Sequence, residues 1–119
     1  MPRFVILEHD HPGLHWDLML ESGAVLRTWR LAAPPRAGEI IAATATFDHR
    51  PVYLDYEGPV RSDRGRVIRR ERGTFAWQTQ EVDRVVVRLD GVQLRGILQL
   101  EQVEGDSWRG EFIADSIGS

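Results

Sequence analysis

The sequence predicts an all-β fold: a small closed or partly open β-barrel of about seven or eight short antiparallel strands with little helix. Three observations carry this. Apolar and polar residues alternate with a period of two, most clearly in "HWDLMLE", where Trp16, Leu18 and Leu20 interleave with His15, Asp17, Met19 and Glu21. Turn-forming residues interrupt the alternation at short intervals, as in "HPG", "ESG" and "DG". Helical character is confined to one short stretch, "DHRPVYLDYEG".

The elements follow in order. "FVILEH" starts the sheet. "HPG" offers a turn into "HWDLMLE", a strand with one apolar face for the core and one polar face. A hairpin turn around Ser22 and Gly23 leads to "AVLRTWRL", with Val25, Trp29 and Leu31 on one face. Pro34, Pro35 and Gly38 make the next segment a loop entering the strand "IIAATAT". In "DHRPVYLDYEG" Asp48 or His49 would cap one helical turn with Pro51 early in it, setting His49 and Tyr53 four residues apart on one face. "GTFAWQTQ" and "SWRGEFIAD" supply further strands, and "VVVRLDGVQLRGILQL" is a hairpin with Asp90-Gly91 as its two-residue turn. The four tryptophans, Trp16, Trp29, Trp77 and Trp108, fall at strand positions; core is the expected role for most of them, with base-stacking platforms an alternative that the sequence does not indicate.

Composition narrows the function. The 119 residues, 42% hydrophobic and 28% charged, suit a single globular domain spanning 1–119. There is no cysteine, which excludes disulfides and thiolate metal sites and suits a cytoplasmic protein. The apolar run near the N-terminus is too short for a signal-peptide core or a membrane span, so no membrane partner is expected. A net charge of −3 gives no whole-chain signature of nucleic-acid binding. All 15 basic residues are arginine, a bias expected of a GC-rich genome.

Chemistry concentrates in "LEHDHPGLHWDLMLE", which holds three of the four histidines. His15 and Asp17 leave one strand on the same face, and the "HPG" turn can bring His9 beside His15. Two imidazoles and a carboxylate suit Mn²⁺, Fe²⁺ or Zn²⁺ with open positions for water and substrate. The plainer alternative is histidines held in a surface turn, with Asp17 capping or pairing with an arginine. His11 is also near, beyond the strand end, and is expected to point away from His9. His49 and Tyr53 gain meaning only if the fold carries them to this cluster. "RSDRGRVIRRERG" is a basic strip in an acidic chain, with Arg61, Arg64, Arg66, Arg69, Arg70 and Arg72 against Asp63 and Glu71. It reads either as a phosphate-tracking surface or as a charged edge that discourages strand pairing.

These motifs resemble the 3′-phosphoesterase domain family of bacterial DNA ligase D, the end-healing module of non-homologous end joining. "EHDHPGLHWDLMLESGAVLRTW" resembles the family's opening motif at His9, Asp10, His15, Asp17, Leu20, Glu21, Gly23, Leu26 and Trp29, with one extra residue between Gly23 and Leu26. "DHRPVYLDYEG" resembles its second motif at Asp48, His49, Tyr53, Asp55, Glu57 and Gly58, and "ERGTF" and "LRGILQLEQVEGDSW" resemble its later ones. The resemblance implies a small β-barrel with a manganese-dependent site, Mn²⁺ or another divalent transition metal being held by His9, His15 and Asp17. It implies that His49 contacts the phosphate and that Tyr53 supports the site. It further implies DNA or RNA–DNA 3′ ends as partners, removal of a 3′-terminal ribonucleoside or 3′-phosphate, and a ligase or polymerase of end joining acting afterwards. The chain departs from the family at Met19, where an arginine aimed at phosphate is usual, at Phe47, where glutamate is frequent, and near Ala33, where a basic residue is missing. These departures fall on substrate contacts and leave the metal triad intact. Two other readings remain beside this one: a catalytically weak or silent metal-containing module that docks on nucleic-acid ends or a repair partner, and a cupin-like metal barrel acting on a small molecule.

Overall fold

The computed structural model describes residues 1–116. Nine strands follow in chain order: β1 (Arg3–His9), β2 (His15–Ser22), β3 (Val25–Leu31), β4 (Ile40–His49), β5 (Gly58–Pro59), β6 (Arg66–Gln80), β7 (Arg84–Gly91), β8 (Arg95–Glu104) and β9 (Ser107–Ala114). A single 3₁₀ turn, Pro51–Leu54, is the helical element among the described residues. The sheet runs β1-β2-β3-β4-β9-β8-β7-β6, and antiparallel pairing of β6 with β1 closes it into an eight-stranded barrel. β5 is a short extra strand on β6.

Alternation divides the strand residues between two apolar clusters. Phe4 and Ile6 of β1, Leu18 and Leu20 of β2, and Trp29 and Leu31 of β3 point into the barrel, where they meet Phe75, Val87, Leu98 and Phe112. The opposite faces of the same strands carry Val5, Leu7, Met19 and Leu26, which pack with Leu54 and Val67 into a second cluster. This second cluster is what allows a site on the outer face. It fastens the 3₁₀ turn to the barrel wall, and Leu54, 3% exposed, is its anchor. Burying a leucine side chain in this way stabilises the docked turn by about 2 kcal/mol.

Several boundaries differ from the sequence reading, each for a physical reason. The first hairpin pairs Ser22 with Val25, so its turn is Gly23-Ala24, one residue later than expected, with Gly23 in the left-handed region at φ +61°. Val25 is consequently exposed, whereas Trp29 and Leu31 are buried as expected. The 3₁₀ turn starts from Arg50, because β4 continues through Asp48 and His49. "GTFAWQTQ" is the second half of a 15-residue strand whose first half is the arginine strip. Asp90-Gly91 does not turn: Gly91 stays in β7 opposite Gly73, and residues 92–94 make the loop.

Glu71 explains that last shift. Its carboxylate, on a residue only 6% exposed, accepts backbone N–H bonds from Val92, Gln93 and Leu94 at 3.0, 2.8 and 2.6 Å, and from Arg72 at 2.8 Å. The loop is wrapped around a carboxylate rather than around a positive-φ pair. Gly91 is glycine because a Cβ there would lie 2.8 Å from Glu71 Oε2 and 2.9 Å from the Phe4 ring.

Candidate metal centre and its arginine-lined pocket

β1 and β2 pair with His9 directly opposite His15, so the register alone sets the two imidazoles side by side. Their ring centroids are 4.9 Å apart. Asp17, two residues along β2, points the same way, and one donor atom from each of the three residues falls within a 4.8 Å group. His15 and Asp17 are buried at 5% and 6% exposure.

Backbone carbonyls orient both rings. The Nδ1 of His15 lies 2.8 Å from the Gly13 carbonyl, and the Nε2 of His9 lies 2.7 Å from the Arg64 carbonyl. A carbonyl only accepts, so each of those nitrogens carries a proton and donates it. The other nitrogens, His15 Nε2 and His9 Nδ1, then face Asp17 Oδ2 at 3.3 and 3.7 Å. Two imidazole nitrogens facing one carboxylate oxygen require a proton or a cation between them. Ligand atoms on a four- to six-coordinate transition metal lie about 3.0–3.5 Å apart, which these separations approach. The donor set and its carbonyl partners fit a divalent metal.

The β5–β6 loop supplies half of this support. Asp10 Oδ1 accepts the Arg66 N–H at 2.7 Å, which pins the start of β6 to the end of β1 and so aims the Arg64 carbonyl at His9. Gly65 is required at this crossing: its φ is +78°, and a Cβ would lie 2.1 Å from Asp10 Oδ1.

β4 brings His49 to the same place. Thr28 donates its hydroxyl proton to the Leu26 carbonyl at 3.0 Å, so its oxygen accepts from His49 Nδ1 at 2.9 Å, with the Phe47 carbonyl a second acceptor at 3.1 Å. The His49 Nε2 is left to meet the pocket. Burial holds the His49 imidazole below its ordinary value, and the charge of Asp17 pulls the other way. Tyr53 stands edge-on to His49 with centroids 5.5 Å apart, and Tyr56 edge-on to Tyr53 at 6.0 Å. The pairing of His49 with Tyr53 arises across a strand end and a 3₁₀ turn, not on one helix face.

Around these residues lies a pocket of about 590 Å³, with His9, Asp17, Met19, His49 and Tyr53 in its lining. His11 also lines it, its ring centroid 6.4 Å from that of His9, so the turn folds this residue back to the rim instead of away. Met19 is 2% exposed and belongs to the second apolar cluster, which gives the pocket an apolar floor beside the metal cluster.

The arginines separate by their partners. Arg64 lines the pocket, and Arg61 lines a neighbouring pocket of about 420 Å³ that shares Arg50, Tyr53, Val60 and Arg64 with the first. Arg66 is exposed at the start of β6. Arg69 donates to the Leu54 carbonyl at 3.2 Å and lies 3.9 Å from Asp55, holding the 3₁₀ turn. Arg70 forks onto Glu8 at 3.1 and 3.3 Å. Arg30 and Arg50, not singled out in the sequence, both line the main pocket. Arg30 is the direct cross-strand neighbour of Asp17. Correct placement of the Gly23-Ala24 turn would have revealed it, because the hairpin register then pairs position 30 with position 17.

A family model for the DNA ligase D 3′-phosphoesterase domain matches residues 7–102, a span that contains His9, His15, Asp17, His49 and Tyr53. The chain belongs to this family. It is 32% identical over 114 residues to the multifunctional non-homologous end joining DNA repair protein LigD of Mycobacterium tuberculosis, covering 88% of this chain. It is 27% identical over 129 residues to the LigD protein of Mycolicibacterium smegmatis, covering 95% of this chain. The aligned part spans only 15% and 17% of the length of those two relatives. Among the described residues no helix is long and apolar enough to cross a membrane.

Proposed function

We propose that the chain is a metal-dependent phosphoesterase acting on 3′ ends of nucleic acid in DNA end repair, with Mn²⁺ or a similar divalent metal as cofactor. The observation that carries this reading is the convergence of His9 Nδ1, His15 Nε2 and a carboxylate oxygen of Asp17 in an arginine-lined pocket that also holds His49. A bound divalent metal would polarise a phosphoryl oxygen and lower the pKa of a coordinated water.

The chain's own residues do the rest. His9, His15 and Asp17 hold the cation, and the Gly13 and Arg64 carbonyls keep both imidazoles in the ligating orientation. His49, with Nδ1 bonded to Thr28, offers Nε2 to a phosphate oxygen and offsets charge or protonates the leaving oxygen. Tyr53 steadies that imidazole from its edge. Met19 cannot donate to a phosphate, so the cationic grip falls to Arg30, Arg50 and Arg64. The substrate in this reading is a 3′-terminal ribonucleoside or 3′-phosphate on a primer strand, and the product 3′-hydroxyl suits a ligase or polymerase of end joining. The family membership and the naming of the relatives as end-joining proteins support this substrate class.

A duplex with a recessed 3′ strand ending in one ribonucleotide tests the proposal. Incubated with the protein and Mn²⁺, the strand should shorten on a denaturing gel, and His15→Ala should abolish the shortening. Intact strand in the presence of demonstrated Mn²⁺ binding would favour a silent end-binding module.

A further inference from the structure

We propose that Phe47 is a stacking platform for the nucleobase of the 3′-terminal nucleotide, an inference that rests on the nucleic-acid-end reading of the pocket. Phe47 lines the pocket and is 75% exposed. The other three phenylalanines and all four tryptophans are buried or half-buried, so this exposure is singular among those residue types in the described chain. Its ring is also held in place. It stacks on the His49 imidazole with centroids 4.7 Å apart and planes 17° from parallel, and His49 is in turn tied to Thr28. One face of the phenyl ring is therefore covered by the residue assigned to the phosphate, while its exposure leaves the other face to solvent.

A flat apolar face left in water costs hydration free energy, and a base recovers it by stacking. Base–aromatic stacking is tolerant of sequence because every base has a π-face. The surroundings match a nucleotide rather than a plain apolar ligand. Arg30 and Arg50 line the same pocket and form no ion pair among the described residues, so guanidinium donors stand ready for backbone phosphate. The structure thus offers one terminal nucleotide a cation site for its phosphate and an aromatic shelf for its base. Phe47 would act as a specificity residue, distinguishing an end that carries a base from an abasic end.

The test compares binding with turnover. Two recessed-end duplexes carry a dye at the 5′ end of the primer strand and differ only in their last nucleotide, which bears a base in one and is abasic in the other. Fluorescence anisotropy gives Kd for each with the wild type, Phe47→Leu and Phe47→Trp, over times short relative to product formation. The wild type and Phe47→Trp should prefer the base-bearing end about tenfold, and Phe47→Leu should lose most of that preference. A preference unchanged in Phe47→Leu, or absent from the wild type, overturns the platform. Failure of both duplexes to bind overturns it together with the reading beneath it. The ribonucleotide gel assay separates the two claims: a base preference that depends on Phe47 without turnover upholds the platform and refutes only the phosphoesterase chemistry.

Discussion

Replacing Glu71 with alanine should be among the most damaging single changes outside the barrel core, although the residue sits in the middle of an arginine-rich strip. Its carboxylate accepts four backbone N–H groups at 2.6–3.0 Å. Val92, Gln93 and Arg72 are exposed, so their N–H groups regain water when the carboxylate is removed. The N–H group of half-buried Leu94 loses a charged acceptor without full replacement, at about 1–3 kcal/mol. With the space left by the buried side chain, the net loss is about 2 kcal/mol. For a chain of this size that lowers Tm by about 8 °C. Glu71→Gln keeps one acceptor oxygen but turns an amide toward the remaining donors, and should cost roughly half as much. Urea unfolding followed by tryptophan fluorescence measures both variants. A loss below about 1 kcal/mol for Glu71→Ala would show that the loop finds other partners and that the carboxylate is not its scaffold.

Four further outcomes are expected. Mn²⁺ at a hundred times its Kd should stabilise the fold by about 2.7 kcal/mol in a thermal scan, and the shift should vanish in His15→Ala and Asp17→Asn. Asp10→Ala removes the bond to the Arg66 N–H and frees the loop whose carbonyl orients His9; calorimetric titration should show metal affinity falling about tenfold. Arg30→Ala should weaken binding of a recessed-end duplex and reduce the slope of log K against log salt by about one unit, and an unchanged slope would remove Arg30 from the phosphate contacts. His49 has a native pKa held below the ordinary 6.5 by burial. As pH falls through 6.5 the unfolded chain takes the proton first, so this residue's contribution to stability declines until the lower native value is reached. Comparison of wild type with His49→Gln in urea titrations between about pH 8 and 5 should show the variant with the flatter profile.

Much of the candidate centre was legible because its parts are local. His15 and Asp17 sit two apart on one strand, and His9 is carried to them by a single turn, so alternation and one hairpin suffice to bring the three together. The same alternation sent Trp16, Leu18 and Leu20 inward and left Met19 with the polar face, where it packs into the second cluster. Other features depended on partners distant in sequence. His49 reaches the centre only because β4 lies beside β3 and Thr28 catches its ring. The arginines of the strip look alike in sequence, yet Arg69 and Arg70 are engaged by Leu54 and Glu8 while Arg64 faces the pocket. Asp90-Gly91 has the composition of a tight turn, but Glu71 offers the next three N–H groups a better acceptor and the turn moves beyond it.

The sequence by itself determined the all-β class, the inward faces of β2 and β3, the grouping of His9, His15 and Asp17, and the family resemblance. These depend on side-chain period and on neighbours within one hairpin. The closure of β6 on β1, the arrival of His49 and Tyr53 and the exposure of Phe47 above His49 were decided by tertiary structure. The physical reason is that a period of two states which face a residue takes but not which strand lies beside it. A one-residue change of register alters every cross-strand neighbour, and only the packed barrel fixes that register.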